Sequence, residues 1–226
     1  MKRRYFTRQL AALVAVALMA LALWAAHVIQ PSSGSLSAEL QRQYFGDSTA
    51  QVELAKLLIK GRAPKTGYAR KQFGDGWGKI GDCSVREVIL ARDLTDVVRD
   101  DDCKVQRGTL HDPYTGQTIT FQRGPDSSAQ VQIDHVVALS DAWQKGAQQL
   151  SPEERRRFAN DPLNLLAVDG PANQAKGDAD VASWLPPNKA FRCQYAARQV
   201  AVKRRYQLWV TAAEAEALHK VLQYCQ

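Results

Sequence analysis

The segment AQVQIDHVVALSDAW, Ala129 to Trp143, constrains the fold more than any other stretch of the chain. Apolar residues at Val131, Ile133 and Val137 give the two-residue period of a strand with one buried face, yet the strand also carries Asp134 and His135 side by side. A carboxylate is costly to bury unless it is paired or hydrogen-bonded. Something must therefore pair with it. Two readings stand: a core histidine held by its neighbouring carboxylate, or a metal-assisted active site. Of the four histidines, His111 precedes a turn and reads as a turn residue, and His219 falls on the solvent side of a late helix.

The surroundings bear on which reading applies. Lys2, Arg3, Arg4 and Arg8 precede an apolar run from Leu10 to Ala26, which is how an export signal is built. The run is long for a signal core and slightly short for a spanning helix, and Ala20-Leu21-Ala22 offers a cleavage pattern, so residues 1–29 fit both a signal peptide and an uncleaved membrane anchor. Basic residues on the N-terminal flank keep that end inside, which places the rest outside the membrane, secreted or extracytoplasmic. The formal charge of +7 includes four charges of this leader, leaving a mild excess. A basic isoelectric point is therefore weak support for nucleic-acid binding. The runs Arg155-Arg156-Arg157 and Lys203-Arg204-Arg205 read as solvated helix faces. Cys83, Cys103, Cys193 and Cys225 are an even set in an exported chain and suggest two disulfides. Pairing Cys83 with Cys103 and Cys193 with Cys225 closes the more local loops. The absence of any C-x-x-C pair speaks against a zinc knuckle.

Along the chain, 30–47 is rich in serine, glycine and glutamine and reads as a flexible linker, with a folded domain over 48–226. STAQVELAKLLIKG predicts an amphipathic helix up to Gly61, and SVREVILARDLTDVV predicts another. FGDGWGKIGDC lacks EF-hand spacing and reads as turns. Strands are expected on both sides of Asp112-Pro113-Tyr114-Thr115-Gly116. A helix is expected from Leu139 to about Gln149, and another after the capping box Ser151-Pro152-Glu153-Glu154. A short strand over Leu163 to Val168 leads through Asp169-Gly170-Pro171 into a helix carrying Asn173, Lys176 and Asp178. The final helix, capped by Thr211, is expected to pack Ala217, Leu218, Leu222 and Tyr224 inward, and Trp143, Trp184 and Trp209 read as core. The fold class is α+β, mainly helical.

The order strand with Asp-His, strand with Asn164, helix with Asn173 resembles the HNH nucleases, whose ββα-metal core is also called a His-Me finger. Together with CSVREVILARDL, GTLHDPYTGQTITF, NDPLNLLAVDGPANQAKGD and SWLPPNKAFRCQYAARQVAVKRRYQLWV, it is similar to the exported bacterial HNH endonuclease-family proteins and to the C-terminal domain of GmrSD-type restriction enzymes. The resemblance implies that Asp134 is the first metal ligand, His135 the general base, Asn164 the asparagine that braces the loop, and Asn173 the last ligand. Mg²⁺ is the implied cofactor, with Mn²⁺ as another suitable ion, because carboxylate and amide oxygens are hard ligands. Lys176, with Arg86 or Arg92, is a candidate to hold phosphate, and Asp178 a candidate supporting carboxylate; a surface role competes for each. The implied activity is phosphodiester hydrolysis in nucleic acid, DNA favoured, by a monomer. A catalytically inactive binding or envelope protein on the same scaffold is the alternative. Asp134 and His135 point to opposite faces of a regular strand, so a local distortion is expected to bring both to one phosphate.

Overall fold

The computed structural model describes residues 34–125 and 127–225. The leader, with the two readings it allows, lies outside them. No helix among the described residues is long and apolar enough to cross a membrane.

The folded part starts earlier than the sequence suggests. Residues read as linker include a helix, α1 (Ala38–Phe45), capped by the Ser37 side chain and burying Phe45. This corrects the linker, at least from residue 38 onward. The next helix, α2 (Ala50–Ala55), is capped by Thr49 as expected but stops early. Beyond it the backbone is taken by the segment at Val210: Leu58 O accepts from Val210 N at 3.0 Å, and Lys60 N donates to Val210 O at 3.0 Å. Leu58 and Ile59 are consequently exposed and do not continue an apolar helix face.

A two-residue hairpin, β1 (Lys79–Ile80) and β2 (Cys83–Ser84), leads into α3 (Val85–Asp93). This helix gives way at Leu94 to β3 (Leu94–Arg99), where Thr95, Val97 and Val98 favour an extended chain over the helix expected through them. Strands β4 (Val105–His111) and β5 (Thr118–Gln122) form the expected hairpin, and β3 pairs with β4 to give a three-stranded antiparallel sheet. A second antiparallel pair joins β6 (Val131–His135) to β7 (Leu165–Asp169), with Asp134 opposite Leu166 and His135 opposite Leu165. Between them lie α4 (Leu139–Trp143) and α5 (Pro152–Asn160); α5 has the reciprocal capping box at Ser151 and Glu154. The helix expected to run on to Gln149 is broken at Gly146, whose φ of 121° suits glycine and not a residue with a Cβ. Directly after β7, α6 (Gly170–Lys176) folds back, followed by α7 (Arg192–Arg205) and α8 (Ala212–Leu222).

The β6–β7 pair is covered on both faces. Val131, Ile133, Leu165 and Ala167 pack with Val85, Ile89 and Leu90 of α3 and Leu110 and Phe121 of the hairpin. On the other face Val136, Leu166 and Val168 join Phe45, Tyr195, Val200 and Leu218. A third cluster around Phe73, Trp143 and Phe158 surrounds the chain that leaves β6. Two disulfides close the pairings expected from loop length, Cys83–Cys103 and Cys193–Cys225, each with a Cα separation of 5.5 Å. Tyr224, expected inside, is exposed.

Candidate active site

Among the described residues strand β6 pairs only with β7, so its other edge carries no strand. Along that edge runs a cavity of about 500 Å³ lined by every residue from Val131 to His135, and by Arg70, Arg86, Asn173 and Asp178. Strand register is regular through His135. The expected distortion is therefore not what brings Asp134 and His135 to one place. Their side chains leave opposite faces of the strand, and the cavity lies along the edge that both faces share.

Each side chain is fixed by groups from other elements. Tyr114, at the turn between β4 and β5, donates to Asp134 Oδ2 at 2.5 Å, and Lys176 Nζ donates to Asp134 Oδ1 at 2.9 Å and to the His135 carbonyl at 3.0 Å. Burial raises the Asp134 pKa, while the Lys176 charge and the Tyr114 hydrogen bond oppose that rise. Tyr114, wholly buried and facing that carboxylate, is held well above the usual phenol range, so it remains a hydroxyl donor.

His135 Nε2 lies 2.9 Å from Ala159 O at the end of α5. A carbonyl only accepts, so Nε2 carries the proton and Nδ1 is the bare nitrogen of the neutral ring. Among the described residues Nδ1 has no hydrogen-bond partner. Burial is the main reason that the His135 pKa is lowered to about 3, and the nearby charges of Arg70 and Lys176 act in the same direction. The imidazole is neutral in ordinary buffers.

Asn164 is fully buried where β7 begins. Its Oδ1 accepts from Val137 N at 2.8 Å, its Nδ2 donates to Val137 O at 3.2 Å, and its carbonyl accepts from Val136 N at 2.8 Å. These bonds hold the chain just beyond His135. Two arginines hold the other side of the same turn. Arg92 and Arg198 both donate to the carbonyls of Pro162 and Leu165, and Arg198 also reaches Leu163 O.

Not every candidate reaches the cavity. Lys176 is buried against Asp134 and is absent from the walls, which corrects its expected role as a phosphate holder. Arg92 is likewise engaged with backbone carbonyls and with Asp93 at 2.6 Å. Arg86 does line the cavity, tied to Glu87 at 3.1 Å. Asp178 lines it too; its pKa is lowered, chiefly by the hydrogen bond from Lys65 at 2.9 Å and then by that from Ser140 at 2.9 Å. Three residues escaped the sequence reading. Arg70 stands on the wall, and no ion pair to it exists among the described residues. Tyr114 anchors Asp134. Trp77 stacks on His135, with ring centroids 5.8 Å apart and planes within 6°. No short motif marks them, and Trp77 falls in the glycine-rich stretch that reads as turns.

Among the described residues no group of three or more histidine, cysteine, aspartate or glutamate side chains is placed to hold a metal ion. The donors that are present suit a hard cation that keeps much of its water. Asn173 Nδ2 donates to Gln132 Oε1 at 2.9 Å, and Asn173 Oδ1 has no hydrogen-bond partner among the described residues. Each Asp134 oxygen accepts one hydrogen bond, and a carboxylate has about four acceptor sites. Asp134 and Asn173 share the cavity wall.

Residues 85–221 match the family described as GmrSD restriction endonucleases, C-terminal domain. The chain belongs to this family. Membership points to a nuclease-type function and to nucleic acid as the general class of substrate. An uncharacterized secreted protein of Arthroderma benhamiae (strain ATCC MYA-4681 / CBS 112371) is 41% identical over 180 residues, covering 79% of this chain and 85% of that protein. No solved structure matches. The family match begins at Val85, so Arg70 on the cavity wall and Trp77 against the His135 ring both lie ahead of the matched segment.

Proposed function

We propose that the protein is a secreted, divalent-metal-dependent endonuclease that hydrolyses phosphodiester bonds, DNA favoured, with a ββα-metal core formed by β6, β7 and α6. The observation that supports it most is the bare Nδ1 of a neutral His135, a residue that lines the same cavity as Asp134 and Asn173. Asp134 and Asn173 would hold the cation through oxygen. When bound, a divalent cation supplies positive charge against the phosphate and the oxygen that leaves it.

The residues of this chain do the remaining work. His135 Nδ1 takes the proton of the attacking water, and Ala159 O steadies the imidazolium that results through its bond to Nε2–H. Lys176 and Tyr114 fix the Asp134 carboxylate, Asn164 fixes the backbone that follows His135, and Arg70 and Arg86 hold the phosphate from the wall. Lys176 is thus assigned to positioning. A secreted location agrees with the export-type leader and with the printed description of the Arthroderma protein.

The test is plasmid nicking by purified protein with Mg²⁺, with Mn²⁺, or with EDTA, beside His135→Ala and with RNA as a parallel substrate. Loss of cutting in EDTA and a fall of about 10²- to 10⁴-fold in His135→Ala are expected. Cutting that is untouched by both would sink the proposal. Binding of nucleic acid with no cutting under any metal would leave the inactive scaffold protein instead.

A further inference from the structure

We propose that Trp77 is a positioning residue for the base: its indole plane holds the His135 ring at the setting that keeps Nε2 on Ala159 and leaves Nδ1 toward the cavity. The inference rests on the base assignment above. A histidine ring turns about a broad torsion with no sharp staggered minima, so one hydrogen bond at Nε2 fixes an atom and not a plane. The parallel stack at 5.8 Å supplies the plane. The bond to Ala159 O tells Nε2–H from a ring carbon and so opposes a flip, and the stack opposes rotation of the plane.

The loop that carries Trp77 is built to stay in place. Gly74 and Gly76 have φ of 110° and 98°, values that residues with a Cβ rarely adopt. Gly78 N donates to Asn160 Oδ1 at 2.7 Å, and Gly78 O accepts from Val85 N at 2.9 Å. Asn160 directly follows Ala159, the acceptor for His135 Nε2. The end of α5 therefore registers the imidazole and the stacking loop from one point. A small cavity of about 150 Å³ lies between the loop and the ring, lined by Trp77, His135, Arg70 and Ala159. Its presence gives the ring room to swing once the indole is removed.

The experiment compares Trp77→Ala, Trp77→Leu and Trp77→Phe in the full-length protein. Turnover is read on a DNA substrate, and the tautomer of His135 by two-bond ¹H–¹⁵N correlation of the imidazole. Trp77→Ala is expected to lower kcat by about tenfold or more, with KM changed by less than about twofold. The wild-type ring should show the Nε2–H tautomer alone, and Trp77→Ala a mixture or exchange-broadened signals. Trp77→Phe, which keeps a plane, should return both readouts toward wild type. Leucine fills space without a plane, so Trp77→Leu should behave like alanine, and it carries the test if Trp77→Ala does not fold. A wild-type kcat or an unchanged single tautomer in Trp77→Leu would overturn the proposal, as would a raised KM with kcat retained, which would mark Trp77 as a substrate contact. Full activity in His135→Ala would instead remove the base assignment, and the ring spectra would still decide whether Trp77 holds the imidazole.

Discussion

Asp134 is buried with its charge shared between a lysine and a tyrosine, and removing either partner has a different cost. Lys176→Met leaves a buried carboxylate without its counter-charge, for which a loss of about 3–5 kcal/mol is expected in urea unfolding. Adding Asp134→Asn should recover part of that loss; a double variant no better than the single one would mean that lysine packing, not charge, is at stake. His135 gives a stability signature of its own. Its pKa falls to about 3 in the folded protein from an ordinary value near 6.5, so the unfolded chain binds the extra proton between those values. Its contribution is therefore fully present above about pH 6.5 and is lost as the pH falls toward 3. Wild type should lose more stability than His135→Gln between neutral pH and pH 4. Parallel pH profiles for the two proteins would contradict the buried neutral ring.

Among the elements, α1 shows how a segment of polar composition can belong to the fold. Ser37 caps it and Phe45 enters the same core as α7 and α8. A protein starting at Ser48 should be less stable than one starting at Gly34 by about 3–5 kcal/mol, the range for deleting a buried phenylalanine, as thermal or urea unfolding would report. Equal stability would show the linker reading to be right in energetic terms. The β6–β7 junction depends on Asn164 in a comparable way. Asn164→Ala removes two side-chain bonds to Val137 and leaves its buried N–H and carbonyl without them, so about 2–4 kcal/mol is expected. Hydrogen exchange at Val137 should accelerate in that variant if the site opens locally.

Over the whole molecule, five buried charged side chains and the exposed Arg62 form a balanced cluster. Lys145 Nζ meets Asp141 at 2.7 Å, Asp180 at 2.7 Å and Glu214 at 2.6 Å. Lys203 reaches Glu214 at 2.9 Å and Asp141 at 3.3 Å, and Arg62 closes on Asp141 and Asp180. The cluster ties the chain near Arg62 to α4, α7, α8 and the segment after α6. Such groups add little net stability over apolar packing, yet losing one member is costly. Lys145→Met is expected to cost about 3–5 kcal/mol, and salt should scarcely weaken the wild-type cluster because its buried members are shielded from solvent. Strong destabilisation of wild type by salt at fixed pH would be incompatible with that burial. Lys203 and Arg155 also correct the view of their basic runs as solvated faces, since both are buried.

Local chemistry was readable in the residues themselves. The capping box at Ser151, the hairpin around Asp112–Gly116, the strand with Asp134 and His135, and the cysteine pairs all express interactions between near neighbours, or loops short enough to favour closure. The family relation was legible because its motif lies in order along the chain. What lay beyond the primary structure were partners that meet only on folding: Tyr114 and Lys176 on Asp134, Trp77 and Ala159 on His135, and Arg198 on the turn around Asn164. So, too, did the early end of α2, set by pairing with the distant backbone at Val210. The physical division is between propensities that act over a few residues and desolvation, which acts on whatever the packed chain encloses. Burial decides which charges are paired and which imidazole nitrogen is left bare, and it is a property of the assembled core.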